Sequence, residues 1–283
     1  MKNREIESEY IKALSFAKNH YENFPVISFL VPKHLQKHIA IVYKFARLAD
    51  DIADETNLPS DKRLSLLEDF SHKFNQALKN EFSNPFWETL INTINLFNLT
   101  PENFSRLLIA FKSDIRFTRF QTFPEILNYC SNSANPVGRI ILELFGIREE
   151  KAIAYSDNVC TALQLINFYQ DVSIDIKQNR IYIPEDELQK FSVTLDEIKK
   201  TNFSDNFRKL MKFQIERVDS MFREGRNILS YLPFRLKIEI AWTILGGEKI
   251  SSKIKEKNYN VLNYRPKINI SDVSMILVKS FFI

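Results

Sequence analysis

Glycine is scarce in this chain, with five residues in 283. Folds that reverse direction every few residues need glycine for tight and left-handed turns. Sandwiches and barrels are therefore disfavoured, and long helices are favoured. The same scarcity leaves no glycine-rich phosphate loop: neither GxGxxG nor a P-loop occurs. Cysteine is rarer still. Cys130 and Cys160 lie in apolar, helix-forming surroundings without CxxC spacing, which predicts buried, reduced thiols in a cytosolic protein and no disulfide framework.

Other absences narrow the function. No apolar run reaches 18 residues, so no segment is expected to span a bilayer, and the charged stretch from Met1 to Tyr10 is not a signal peptide. Lys and Arg number 39 against 35 Asp and Glu, a net charge of +4, and no basic run interleaves with aromatics. A nucleic-acid partner is not expected. GxSxG and a catalytic-cysteine context are both missing. His34 and His38 are four apart, but Leu35 stands where a zinc-protease pattern needs glutamate, so both are expected at the surface.

What the chain does have is helical periodicity along nearly its whole length. Helices are expected over 5–20, 32–55 (with Leu35, Ile39, Val42 and Ala46 as its apolar stripe), from Pro59-Ser60-Asp61, from Pro85, and from Pro101 with Thr100 as its cap. The 123–145 segment is helical at both ends, but Asn135-Pro136-Val137-Gly138 should kink or break it, and Gly146 should end it. A long helix is expected over 149–176, followed by an extended loop, Asn179-Arg180-Ile181-Tyr182-Ile183-Pro184. Two or three more should cover 203–256 with interruptions at Pro233 and Gly246-Gly247. No linker or repeat marks a boundary, so 1–283 reads as one all-α domain. The final apolar stretch, Ser274 to Ile283, is too short to cross a membrane; it should pack on the core or touch a membrane surface.

Two acidic stretches stand out. In Arg47-Leu48-Ala49-Asp50-Asp51-Ile52-Ala53-Asp54-Glu55, a helical advance of 100° per residue places Tyr43, Arg47, Asp50 and Asp54 within about 60° of one another, with Asp51 at the edge. Downstream, Gln164, Asn167, Asp171 and Asp175 are spaced 3, 4 and 4 and share a face as well. Carboxylates four residues apart rise about 6 Å along a helix, close enough to share hard cations. Unneutralised, such a pair destabilises the helix that carries it. One such pair would ordinarily be a solvated face. Two of them, both flanked by small or apolar residues, point to a pair of helices holding magnesium across a cavity, because Mg2+ takes oxygen ligands and joins carboxylates to substrate phosphates. Arg47 and Arg180 are candidate diphosphate contacts.

These stretches, the Tyr129-Cys130 helix with Pro136-Val137-Gly138, and the Asn179 to Pro184 loop resemble the squalene and phytoene synthase family over roughly 20–247. Within it, His20-Tyr21-Glu22-Asn23-Phe24-Pro25-Val26, Ser133 to Arg139 and Cys160 to Phe168 are most similar to the bacterial hydroxysqualene synthase branch of the hopanoid pathway. The resemblance implies an isoprenoid-synthase-type helical bundle around a central cavity and a magnesium-dependent, diphosphate-releasing enzyme. It makes Asp50, Asp51, Asp54, Asp171 and Asp175 the metal set, with Tyr129 lining the cavity. His20, Asn23, Arg47, Gln164, Asn167, Arg180 and Tyr182 become substrate contacts. The implied reaction turns presqualene diphosphate and water into hydroxysqualene and diphosphate, in the cytoplasm or at the inner face of the membrane, between enzymes that supply the substrate and take the product.

Two departures bear on the substrate. Relatives often carry His-Ser-x-Ser-Phe where this chain has His20-Tyr21-Glu22-Asn23-Phe24, and an acid where this chain has Ile174. Both suit an enzyme that handles one diphosphate. The alternatives are a head-to-head synthase that uses two prenyl diphosphates, making presqualene diphosphate, squalene or phytoene, and a non-catalytic assembly factor on the same scaffold.

Overall fold

The computed structural model describes residues 2–19 and 30–280, so the expectations for the 20–25 loop fall outside it. In chain order the helices are α1 (Lys2–Asn19), α2 (Lys33–Asp54), α3 (Ser60–Leu78), α4 (Pro85–Phe97), α5 (Pro101–Ile115), α6 (Phe123–Ser133), α7 (Asn135–Leu144), α8 (Glu150–Gln170), α9 (Val172–Asp175), α10 (Glu185–Lys190), α11 (Leu195–Lys199), α12 (Asp205–Gly225), α13 (Phe234–Glu256) and α14 (Ile270–Ser280). Short 3-10 turns at Ile176–Gln178 and Arg226–Ser230 complete them, and the described residues contain no strand. The all-α expectation holds.

The chain forms two compact units: residues 1–117 with 136–148, and residues 118–135 with 149–283. In the first, α2 packs against α1, α3, α4 and α5. Its core gathers Phe45, Phe74, Trp87 and Phe104, whose rings meet at centroid distances of 5.2 to 6.3 Å. Ile140 and Leu144 of α7 complete it. The apolar stripe of α2 is deeper than the spacing indicates, with Ile41, Phe45, Ala49 and Ala53 buried beside Leu35 and Ile39. In the second unit α8 is central, against α6, α12 and α13.

Several helix starts follow from local sequence. Asn84 accepts hydrogen bonds from the N–H groups of Phe86 and Trp87, and Pro85 occupies the first turn of α4, where its missing N–H costs nothing. Thr100 stands at the start of α5 but makes no capping bond. Its hydroxyl and N–H both donate to Glu143, at 2.5 and 2.9 Å, so a partner 43 residues away outcompetes the local cap. The break at Ala134 between α6 and α7 and the left-handed Gly146 (φ +75°) fall where Pro136 and Gly146 place them.

Three expectations are corrected. Gly246-Gly247 do not interrupt α13, which runs unbroken across both. At Gly247 a Cβ would lie 2.4 Å from Phe222 Cζ and 3.1 Å from Leu163 Cδ2, so the glycine serves close helix approach. The 149–176 helix does not continue to 176: α8 ends at Gln170, and Asp171 (φ −100°, ψ 7°) leaves helical geometry before α9 resumes. Finally, His38 is not a surface residue. It is 4% exposed, 2.9 Å from Thr93 Oγ1 through Nδ1, and edge-on to Tyr10 and Phe97. His34 is exposed as expected. Of the two thiols, Cys130 is buried and Cys160 half-buried, both free.

Candidate active site

The first acidic stretch closes α2. Arg47 lies one turn before the carboxylates and pairs with Asp50 at 3.3 Å and Asp51 at 2.8 Å, the i,i+3 and i,i+4 partners that helix geometry brings under it. Burial works against the Arg47 charge, but Asp51 and Asp50 outweigh it and hold its pKa above the ordinary value. Ala49 and Ala53 are buried against the core, which turns Asp50, Asp51 and Asp54 outward; Asp51 and Asp54 are exposed. Arg63 fixes the end of the helix by donating to the Ala53 carbonyl at 2.6 Å.

The second stretch is built by the break at Asp171. The Asp171 N–H still bonds the Asn167 carbonyl at 3.0 Å, and its own carbonyl accepts from Ile174 and Asp175 at 2.8 and 2.9 Å. The backbone thus tightens without losing its way, and Asp175 follows in a new turn. The Arg180 N–H closes the turn on the Asp175 carbonyl at 2.9 Å. Burial pushes the Asp175 carboxyl up to about 6, and the nearby Asp171 charge adds to the shift, while Arg180 and Arg265 oppose it. Gln164 is half-buried and Asn167 exposed on the preceding turns of α8.

Arg265 was not among the sequence candidates. Its Nε and Nη2 donate to the two Asp171 oxygens at 2.6 and 3.1 Å, a two-point grip across 94 residues of chain. The next residue, Pro266, accepts a 2.7 Å bond from Gln170 Nε2, so the strap before α14 is fastened twice to the end of α8. The Asp171 hydrogen bond, against a smaller burial effect, raises the Arg265 pKa. A single arginine before a proline in irregular chain carries no periodic signal that could have marked it.

Tyr129 and Tyr182 are brought into one aromatic set. The Tyr182 ring stacks on Phe168 at 3.8 Å with 5° between planes, and Tyr129 lies 6.0 Å from Phe168. Phe120 adjoins both tyrosines, at 5.6 and 6.4 Å. Phe168 is three residues before Asp171, so aromatic faces and carboxylates share one end of α8. The Asn179 to Pro184 loop carries Tyr182 there, leaving the 3-10 turn through left-handed Asn179 (φ 58°). Beneath it, Tyr169 donates to Gln214 Oε1 at 2.6 Å, Gln214 donates to Glu187, and Arg217 bonds Glu187 while lying over the Phe123 ring. This buried network ties α8 to α10 and α12 and keeps the end of α8 rigid.

Among the described residues no three His, Cys, Asp or Glu side chains converge as a metal site; each acidic stretch offers its carboxylates as a local set. His20 and Asn23 lie outside the described residues.

Comparison with known proteins gives this geometry a setting. A profile described as squalene/phytoene synthase matches residues 17–272. The hydroxysqualene synthase of Sinorhizobium fredii is 28% identical over 93% of this chain and 88% of its own length, and that of Zymomonas mobilis 31% over 81% and 77%. Among solved structures, squalene synthase HpnC from Alicyclobacillus acidocaldarius is 35% identical with a TM-score of 0.85, covering 90% of this chain and 96% of that one. A dehydrosqualene synthase shares the fold at a TM-score of 0.85 and 18% identity, over 100% of this chain and 98% of its own. With the acidic pairs, their arginines and the helical scaffold all in place, the chain belongs to the squalene/phytoene synthase family.

Proposed function

We propose that this enzyme of the prenyl-diphosphate-using class converts presqualene diphosphate and water to hydroxysqualene and diphosphate. The observation that carries the reading is the acidic end of α8: Asp171 and Asp175 intact, with Arg180 and Arg265 beside them and an aromatic set one turn away. Hydroxysqualene synthases among the relatives, two of them at 30% identity or above, support the choice of reaction.

Magnesium fits the donor set. All the candidate ligands are carboxylate oxygens, and Mg2+ takes one or two such groups and completes its shell with substrate phosphate and water. Burial and the neighbouring Asp171 charge raise the Asp175 pKa, and a cation between the two carboxylates would relieve that repulsion. Each set in its own unit, Asp50, Asp51 and Asp54 on α2 and Asp171 and Asp175 at the end of α8, would hold magnesium, which when bound supplies Lewis-acid stabilisation of diphosphate oxygens. Arg180 and Arg265 beside Asp171 and Asp175, and Arg47 beside Asp50 and Asp51, would offer guanidinium charge to the diphosphate as it leaves. As the C–O bond to diphosphate breaks, the cyclopropylcarbinyl cation rearranges against the faces of Tyr182, Phe168 and Tyr129, whose negative quadrupoles favour it. Water adds to the resulting allylic cation and yields its proton to solvent or to the released diphosphate. Gln164 and Asn167 orient the substrate polar end.

A second reading is squalene formation, favoured by the squalene synthase at 35% identity. Both are tested by incubating the purified protein in parallel with presqualene diphosphate and with farnesyl diphosphate, with magnesium present and then chelated. Hydroxysqualene from the first substrate alone is expected. Squalene, or any product from farnesyl diphosphate, would move the assignment to a two-substrate synthase. Asp171→Asn should remove turnover in a folded protein; full turnover in that variant would sink the metal assignment, and no turnover in the wild type with either substrate would leave the assembly-factor reading.

A further inference from the structure

α14 is built inside out. Its inward face carries Asp272, Ile276 and Ser280, spaced four apart and all buried. Two of the three are polar and make specific bonds. Asp272 pairs with Lys253 at 2.5 Å and Lys249 at 3.4 Å, and Ser280 accepts a 2.7 Å bond from Trp242 Nε1. Burial opposes the Asp272 charge, but the two lysines and the Asn269 N–H hold its carboxyl below the ordinary value. These contacts set α14 antiparallel to α13, with Ser280 beside Trp242 and Asp272 beside the Lys249 to Lys253 turn.

The outward face is aliphatic. Ile270 is 87% exposed, Val278 61%, Val273 46%, Met275 45% and Leu277 39%. Ile270, Val273, Ser274, Leu277 and Val278 follow the i, i+3, i+4, i+7, i+8 pattern of one helix stripe. The hydroxyl in that stripe, Ser274, already donates to the Ile270 carbonyl at 3.1 Å, so the stripe does not depend on water. Helices of globular proteins turn such a stripe inward; this one is pinned by its polar side and offers its apolar side to solvent.

Charge selects the occupant. Between residues 258 and 280 the acid is Asp272, which two lysines already neutralise, while Lys267 and Lys279 are exposed. The first turns of α13, before its Trp242 contact with Ser280, carry Phe234, 72% exposed, with Arg235 and Lys237 against one acid, Glu239. A stable contact between two copies of the chain needs roughly 20–30 residues a side. A stripe of four aliphatic side chains on an 11-residue helix is far smaller. It suits a helix lying in the interface plane of an anionic bilayer, apolar side in the acyl boundary and lysines among the headgroups.

We propose that α14 docks the protein reversibly on anionic lipid bilayers. The test is flotation of the full chain with vesicles of phosphatidylcholine alone or mixed with phosphatidylglycerol. Binding to the mixed vesicles, much weaker on phosphatidylcholine, is expected. Leu277→Ser with Val278→Ser removes two aliphatic side chains from the stripe and should weaken binding by about a hundredfold, roughly tenfold per side chain. Circular dichroism should change little, since neither residue is among the fully buried ones. Lys279→Gln should cost about fivefold, and only on the mixed vesicles. Equal flotation on both vesicle types, no flotation, or a double variant that floats like the wild type would overturn the proposal. So would a dimer of the wild type that the same double substitution dissociates, because a second copy would then be what covers the face.

Discussion

Gly247→Ala measures how tightly the end of α8 is held. Alanine in a helix interior is favoured over glycine by about 1 kcal/mol, so on propensity alone the variant would be more stable. The structure opposes this. The added Cβ would lie 2.4 Å from Phe222 Cζ and 3.1 Å from Leu163 Cδ2, and Phe222 is fully buried. Overpacking of this kind costs about 1–3 kcal/mol, and an overlap of more than 1 Å with a confined ring belongs near the upper end. The net expectation is a loss of about 1–2 kcal/mol. For a cooperative unit of this size that corresponds to a melting temperature lower by roughly 3–6 °C, read by far-UV circular dichroism. Phe222→Leu removes the clashing atom, so the double variant should lose less than the sum of the two single losses. Gly146→Ala is the contrasting case: its φ of +75° strains an alanine although nothing lies within 4 Å, so it should cost about 1 kcal/mol without any coupling to Phe222. A stabilised Gly247→Ala protein, or strict additivity with Phe222→Leu, would show that α13 can back away from α8 and α12, and would refute the reasoning.

His38 gives a pH prediction. Burial lowers its pKa from 6.5 to about 4, helped by Lys37 and His34 and opposed by Glu7. A depressed folded value means that its stabilisation is complete above pH 6.5 and is lost as pH falls toward 4. The shift is worth up to about 3 kcal/mol, reduced to about 2 by solvent screening of the partly exposed Lys37 and Glu7. Urea midpoints at pH 7 and pH 4.5 should therefore fall further apart in the wild type than in His38→Gln; equal pH slopes would rule this out. Arg265→Gln should change the melting temperature little, because the pair it breaks is about a third exposed. It should nevertheless lower turnover about 100–1,000-fold, the loss seen when one charge-stabilising donor is removed; unchanged kinetics would make Arg265 structural only. Tyr182→Phe keeps the stack on Phe168 and should retain activity within about tenfold, whereas Tyr182→Leu should lose more, together with about 1 kcal/mol of stability. A leucine variant as active as the phenylalanine one would remove the ring face from the mechanism.

The features that could be read from sequence are those that depend on neighbours within a turn or two. Pro85 and Pro101 start helices because proline fits a first turn wherever it occurs, and Arg47 meets Asp50 and Asp51 because three and four residues span one helical turn. The aspartates themselves were found by the same spacing. What escaped depends on distant chain. Thr100 looks like a cap until Glu143 arrives, and the Gly246-Gly247 pair looks like a break until Phe222 presses against it. His38 looks like a surface residue until Thr93, Tyr10 and Phe97 enclose it. The kink at Asp171 and the reach of Arg265 belong together: no local pattern anticipates an arginine from beyond α13, and that arginine grips the carboxylate where the helix bends. The spacing located the acids but not the full set of cations that serves them.

The route of the chain has a consequence for its synthesis. Helices α1 to α5 leave the ribosome before residues 118–135, which belong to the other unit, and their own core still lacks Ile140 and Leu144. The first unit is therefore unfinished until α7 has emerged, and the second begins with an orphan helix, α6, that must wait for α8. Since the chain passes from one unit to the other three times, at 117/118, 135/136 and 148/149, a single cut cannot release either one intact. Expression of 1–117 alone would yield five helices around an open-sided core, while a circular permutant opened within 118–135 would keep α7 in the same chain as both of its neighbours.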